Sequence, residues 1–398
     1  KFIDLKSQTL LSLYIAAVNE SMNEALYPAR LASMNYELSN DEEGILLNIN
    51  GYNDSIENLM SEIVNNMQNI NIPESQFISL KNKMIRDWQN ISVGNATGIA
   101  RESMRTILRK HYFKSEAFAV ESEKVTLSDL RIFAKKIFKE GFIQALVYGN
   151  VSEQQAANQT DVLIKKLNLK LQEWNKVIHQ EQLDFKHGDD FTYRLKSEVN
   201  NSCLWQLNYF GNNSIDEDAI ARVVGNYIES PFYLEMRTNQ QLGYIVWGGG
   251  ASFKKSSYFY FIIQSGDYGP DYLYNQVLDL TSTFPQSLKE IAIDDFIMIK
   301  KSVTEKIKQK PTSIVEQAYK YFALAFDHNG DFDREMKLID AVNSLDLDTS
   351  IETLRLALSK KTIKKASVLL YSKDRDIISD SKNDLNNINE WKNNQNYK

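Results

Sequence analysis

Residues 232–249 read FYLEMRTNQQLGYIVWGG. The Leu-, Glu- and Met-containing run up to Arg237 suits the end of a short helix, and the β-branched and aromatic run Tyr244-Ile245-Val246-Trp247 predicts a strand. Gly243, lacking a Cβ, lets the chain turn tightly into that strand. Arg237 and Tyr244 therefore flank one helix-to-strand turn. A guanidinium and a phenol are both hydrogen-bond donors. Converging on one peptide carbonyl, they would stabilise its oxygen as water adds to the carbon and the oxygen becomes an anion. The same residues also suit a plainer arrangement, with Arg237 in a surface ion pair and Tyr244 packed along a sheet edge.

Upstream of this stretch, strands are expected at about 191–197 and 201–209 and a helix at about 215–229, with Pro231 starting a second helical piece. Downstream, GYIVWGGGASFKKSSYFYFIIQSGDYG (243–269) predicts two strands around a Gly- and Ser-rich turn. Gly248–Gly250 either widen that turn or admit a second backbone closely. Helices follow near 271–283, 287–307, 312–326, 331–341 and 350–358, and the strand KASVLLY (365–371) closes the unit.

The first half has a similar syntax. A helical segment at 9–27 is interrupted at Pro28, and NYELSNDEEGILLNINGYND (35–54) predicts two antiparallel strands. Asp54 and Glu57 have capping-box spacing for a helix to about 69, and Pro73 sits in the first turn of another, to about Trp88. A loop near 91–96 precedes a helix at 97–109. Thr126 with Asp129 caps a helix ending near Gly141, FIQALVYGN (142–150) reads as a strand, and Ser152 with Gln155 caps the helix after it.

The recurrence of a Pro-interrupted helix, a hairpin and long helices predicts a diverged repeat: an α+β chain of two similar domains, each a largely antiparallel sheet covered by helices on one face. The expected boundaries are 1–172 and 191–373, joined by a connection at 173–190 and followed by a polar tail at 374–398, a solvated helix or a frayed end.

Composition narrows the function. With 46 Lys and Arg against 52 Asp and Glu, the chain has no basic footprint for nucleic acid. No apolar run reaches the roughly 20 residues that span a bilayer, so neither nucleic acid nor membrane is an expected partner. Cys203 is the only cysteine, which fits a reducing cytoplasm or a thiol-poor bacterial periplasm, and its place in a predicted strand makes it a core thiol. The histidines, 111, 179, 187 and 328, form neither HExxH nor HxxEH. His179 and His187 lie beside Glu181 and Asp184 in the connection, which reads as a solvated linker. FDHNGDFD (326–333) lacks calcium-loop spacing and reads as a turn between helices.

The helix-to-strand stretch at 237–246 resembles the RTxxQLGYxV signature in the C-terminal half of the insulin-degrading and pitrilysin family of zinc metallopeptidases. Arg237, Thr238, Gln241, Leu242, Gly243, Tyr244 and Val246 match it in unbroken spacing. ARLASMNYELSNDEEGILLNINGYND (29–54) resembles that family's third-domain helix, hairpin and turn, and ALVYGN (145–150) is a weaker match.

The resemblance implies domains three and four of a four-domain clamshell enclosing a peptide chamber. It further implies that Arg237 orients the substrate carbonyl and Tyr244 stabilises the oxyanion, with Gly243 and Trp247 at the substrate. Zinc belongs by resemblance to an HxxEH motif in the N-terminal half, which is the implied partner, in the same polypeptide or as a separate subunit. This chain is then expected to bind no metal and to be inactive alone towards peptides. The start at Lys1, inside the implied third domain, suggests a fragment whose first strand is lost, leaving a sheet edge to pair in a homodimer. The alternative is a non-catalytic peptide-binding or structural subunit of a peptidase-like complex.

Overall fold

The hairpin expected at 35–54 forms as β1 (Asn35–Asn40) and β2 (Ile45–Asn50), antiparallel, with Asn35 opposite Asn50 and Asn40 opposite Ile45. The structure is a computed structural model describing residues 2–41, 43–378 and 383–398. Helix Leu5–Met22 buries Leu11, Leu13, Tyr14, Ile15 and Val18. These form one core with Leu38 of β1, Ile63 and Met67 of helix Asn53–Gln68, and Leu130 of helix Leu127–Ile137. Pro28 occupies the first turn of a separate short helix, Tyr27–Leu31, where its missing N–H costs nothing.

Both later capping boxes form, Thr126 with Asp129 and Ser152 with Gln155. Thr126→Ala is expected to lower stability by about 1 kcal/mol in urea melts, with Thr126→Ser restoring most of the loss. The box expected from Asp54 and Glu57 does not form. Helix Asn53–Gln68 starts one residue before Asp54, and its N-cap, Tyr52, makes no side-chain capping bond.

The strand expected at 142–150 is also absent. Only β3 (Glu140–Gly141) pairs, in parallel, with β4 (Lys170–Leu171). The side chains of the run find partners without a ladder: Phe142 tilts against Trp174 at 5.1 Å, and Tyr148 packs edge-on to Tyr321 at 5.2 Å. Helix Ser115–Glu123 adds an element that periodicity did not indicate.

The chain divides into two compact units, and neither is one continuous stretch. The first holds the residues up to Asn90, Phe113–Gln180 and Pro311–Phe326; the second holds Ile91–Tyr112, Glu181–Lys310 and the described residues from Asp327 on. The expected boundaries at 172 and 191 thus misplace two segments, 91–112 and 311–326, and the connection divides at 180.

The second unit is built on a five-stranded sheet of β5 (Asp189–Lys196), β6 (Ser202–Gly211), β7 (Ile245–Phe253), β8 (Ser256–Ser265) and β9 (Lys364–Tyr371), in spatial order β5-β9-β6-β8-β7. Neighbours are antiparallel except β5 and β9, which run parallel. Alternation along the strands serves two cores. Leu204, Phe259, Phe261 and Ile263 pack with helices Ile215–Tyr233 and Pro270–Lys289. Cys203, Ile262, Val368 and Leu370 pack with Ile99, Met104 and Ile107 of helix Ala96–Leu108. The sheet is therefore covered on both faces, not one, and the second cover comes from the helix that the expected boundaries assigned to the first domain.

Two further expectations are corrected around the sheet. Gly248–Gly250 lie inside β7, and the reversal falls at Lys254, whose φ is 49°. A Cβ on Gly250 would stand 2.1 Å from the carbonyl oxygen of Ala221, and one on Gly225 would stand 2.3 Å from the Gly250 nitrogen. Of the two roles open to the glycines, close backbone approach is the one realised. Helix Ile215–Tyr233 also continues through Pro231 without restarting, and passes into a π-helical turn, Leu234–Asn239.

From Asn383 on, the tail is neither frayed nor simply solvated. Thr192 of β5 donates its N–H to Asn383 and accepts from the Leu385 N–H, at 3.0 and 2.8 Å. Trp391, in helix Ile388–Asn393, packs edge-on to Phe191 at 4.9 Å. Gln182 and Lys398 exchange backbone hydrogen bonds of 2.9 and 2.8 Å. Residues 379–382 of the tail lie outside the described residues.

Candidate functional site

The wide π-helical turn at Leu234–Asn239 changes the direction of the chain at the end of a long helix, a geometry often found at functional sites. Met236 and Leu242 are fully buried, and the Leu242 N–H donates to the Met236 carbonyl at 2.9 Å, closing the turn. Gln241 carries the left-handed conformation, φ 54°. Gly243 has a different duty: a Cβ there would meet the Gln264 carbonyl oxygen at 2.1 Å, so the turn lies flat against β8. The Gln264 side chain is fixed in turn by Thr97, whose N–H and hydroxyl donate to its Oε1 at 3.0 and 2.6 Å.

This scaffold delivers Tyr244 one residue before β7 begins, 83% exposed. The guanidinium carbon of Arg237 lies 5.5 Å from the Tyr244 ring centroid, a cation–π contact. Among the described residues no carboxylate pairs with Arg237 and no hydrogen bond engages the Tyr244 hydroxyl. Glu235, two positions before Arg237, accepts from the Asn239 and Gln240 side-chain amides at 2.7 and 2.8 Å, and these bonds hold its carboxyl below the usual range. The turn thus presents a permanent cation and a phenol side by side, both with unused donors. Together they can receive a carbonyl oxygen that gains negative charge.

Trp247 projects from β7, the edge strand of its sheet, and is 52% exposed. It lines a groove of about 840 Å³ with Gly248, Glu229, Tyr233, Leu234 and Tyr260. Burial, with the Glu229 carboxylate second, pushes the Tyr260 phenol up. Local sequence patterns did not single out Thr97, Gln264, Glu229 or Tyr260: Thr97 and Gln264 meet only through the tertiary fold, and Glu229 and Tyr260 become groove walls only because β7 is an edge.

The other ionisable groups singled out do not converge. His179 donates or accepts at 2.8 Å with Glu43 and lies 4.2 Å from the Trp174 ring, so it is held in place rather than solvated. His111 lies 3.7 Å from Glu181, and burial lowers the pKa of both His111 and His328. Cys203 is fully buried and its thiol is pushed up to about 12 by that burial. Among the described residues no group of three or more His, Cys, Asp or Glu side chains could hold a metal ion. These residues do not fit a zinc ion.

The chain matches family models in two places: residues 3–121 match the middle or third domain of peptidase M16, and residues 223–322 match the C-terminal lobe domain 4 of PQQ synthase PqqF-like proteins. It is 24% identical to human insulin-degrading enzyme over 382 residues, covering 94% of this chain and 37% of that protein. It is likewise 24% identical to the A-factor-processing enzyme of Saccharomyces cerevisiae over 329 residues, covering 80% of this chain and 32% of that one. The chain thus spans about a third of the length of these curated relatives, 37% of one and 32% of the other. The pitrilysin crystal structure shares the fold with a TM-score of 0.84 at 16% identity, over 99% of this chain and 42% of that one. The peptidase M16 inactive domain from Pseudomonas fluorescens shares it with a TM-score of 0.67 at 13% identity, over 92% and 88%.

Proposed function

The chain corresponds to the C-terminal half, domains three and four, of an M16-family peptidase of the insulin-degrading and pitrilysin type, and from that premise we propose that it forms the substrate-binding, oxyanion-stabilising half of a zinc-dependent metalloendopeptidase that cleaves peptides. The observation that carries the proposal is the Arg237–Tyr244 pair, side by side and without competing partners in the described structure. Arg237 binds the carbonyl of the scissile bond through its guanidinium and orients it. Tyr244 donates its phenolic proton in a hydrogen bond to the same oxygen as negative charge develops there, where a preorganised donor is worth most. Gly243 holds the turn against β8, and Trp247 contacts the peptide beside the bond. Zinc is the cofactor of the complete enzyme and belongs to the N-terminal half, the partner of this chain. Alone, the chain contributes donors that stabilise charge but none that activates water.

Hydrolysis of an internally quenched peptide by the two-half protein, beside this 398-residue chain, tests the proposal. Chelator-sensitive cleavage by the long form only is the expected outcome; cleavage by this chain itself would refute it. The likeness to the inactive domain from Pseudomonas fluorescens, which extends over most of both chains, supports a second reading as a non-catalytic peptide-binding subunit. That reading would be selected by peptide binding without cleavage in the long form.

A further inference from the structure

The two edges of the five-stranded sheet are treated differently. At β5 the tail supplies partners, with Thr192 bonded to Asn383 and Leu385. At β7 no further backbone hydrogen bond reaches Ile245–Phe253 from the side away from β8 among the described residues. An edge strand points alternate N–H and C=O groups outward, unpaired, as a template for another extended chain. The groove of about 840 Å³ adjoins this edge: Trp247 and Gly248 of β7 form one side, and Glu229, Tyr233 and Leu234 of the helix end form another.

We propose that the outer edge of β7 binds an extended peptide segment by strand addition, which deepens the peptidase-half reading and rests on it. Backbone hydrogen bonds along β7 would supply sequence-tolerant affinity, with pockets for alternate side chains supplying preference. Tyr233 and Leu234 are 51% and 55% exposed beside Trp247 and form an apolar seat for one bulky side chain. Glu229 is the charged residue lining the groove, so a Lys or Arg is favoured at the position that reaches it. Tyr244 directly precedes β7, so a strand added there runs up to the Arg237–Tyr244 donors and brings a backbone carbonyl to them. A second copy of the chain is the less suited occupant, because the helix end beside the edge leaves a groove rather than a flat margin for another folded sheet.

The test is fluorescence anisotropy of a labelled nine-residue peptide, as long as β7, alternating Phe and Lys with Ser, on the full chain. The peptide is N-methylated at one residue at a time. Blocking an N–H that faces β7 is expected to weaken binding about tenfold, and blocking its neighbours to change it little, so the loss recurs every second residue. Trp247→Ala is expected to weaken the unmodified peptide about tenfold as well. A flat methylation profile, or no binding, would overturn the proposal. So would a concentration-dependent dimer that Trp247→Arg dissolves and peptide does not compete with, since the edge would then belong to a second copy. The two readings separate cleanly. A flat profile alongside lost turnover in Tyr244→Phe of the complete enzyme removes strand addition alone, whereas a period-two profile without any hydrolysis removes the peptidase reading alone.

Discussion

Tyr244→Phe in the complete two-half enzyme is expected to lower kcat for peptide hydrolysis by about 10² to 10³, with KM changed little. The substitution removes one oxygen and leaves the ring under Arg237, so the cation–π contact at 5.5 Å survives. At 83% exposure and with no protein partner for its hydroxyl in the described structure, Tyr244 contributes little to folding. The melting temperature should therefore match the parent. A donor that acts only on developing charge lowers kcat and kcat/KM together, whereas loss of ordinary binding would raise KM alone. If kcat stays within about threefold of the parent, the phenol is not an oxyanion donor.

Gly250→Ala is expected to destabilise the second unit by about 3 kcal/mol, read as a lowered urea midpoint. The added Cβ would meet the Ala221 carbonyl oxygen at 2.1 Å and its carbon at 2.9 Å. Both atoms are backbone, so no rotamer change relieves the clash, and β7 and helix Ile215–Tyr233 must separate. Because the turn bearing Arg237 continues directly from that helix, peptide turnover in the complete enzyme should fall as well. Gly44→Ala, with nothing within 4 Å of the added carbon, is the control and should stay within about 0.5 kcal/mol of the parent. A Gly250→Ala protein that unfolds with the parent would show that helix and strand are not in contact there.

The features legible in the sequence were those decided within a few residues. Alternation at 35–50 specified the first hairpin, and the pairs Thr126/Asp129 and Ser152/Gln155 specified helix starts because a cap is a three-residue device. Asp54 and Glu57 had the same spacing, yet the helix began at Asn53, since spacing alone does not fix where a helix starts. Phe142–Asn150 had strand-forming residues but found aromatic partners instead of a neighbouring strand. The glycines of β7 read as a turn because the helix that requires their bareness approaches from twenty-odd residues upstream. The same limit applied at the site. Arg237, Gly243, Tyr244 and Trp247 sit in one short stretch, but Thr97 and Gln264, which seat that stretch, meet only in the finished fold.

Helix Ala96–Leu108 is made on the ribosome well before any strand of the sheet it covers. Its buried side, Ile99, Ala100, Met104 and Ile107, is completed by Cys203, Ile262 and Val368. Until β9 (Lys364–Tyr371) emerges, that apolar stripe has no finished surface to close against. Contacts so distant along the chain slow folding and prolong the exposure of sticky surface. Nascent chains of this protein should therefore lean on chaperones, and a cut between residues 112 and 181 would strip the second unit of one wall of its core.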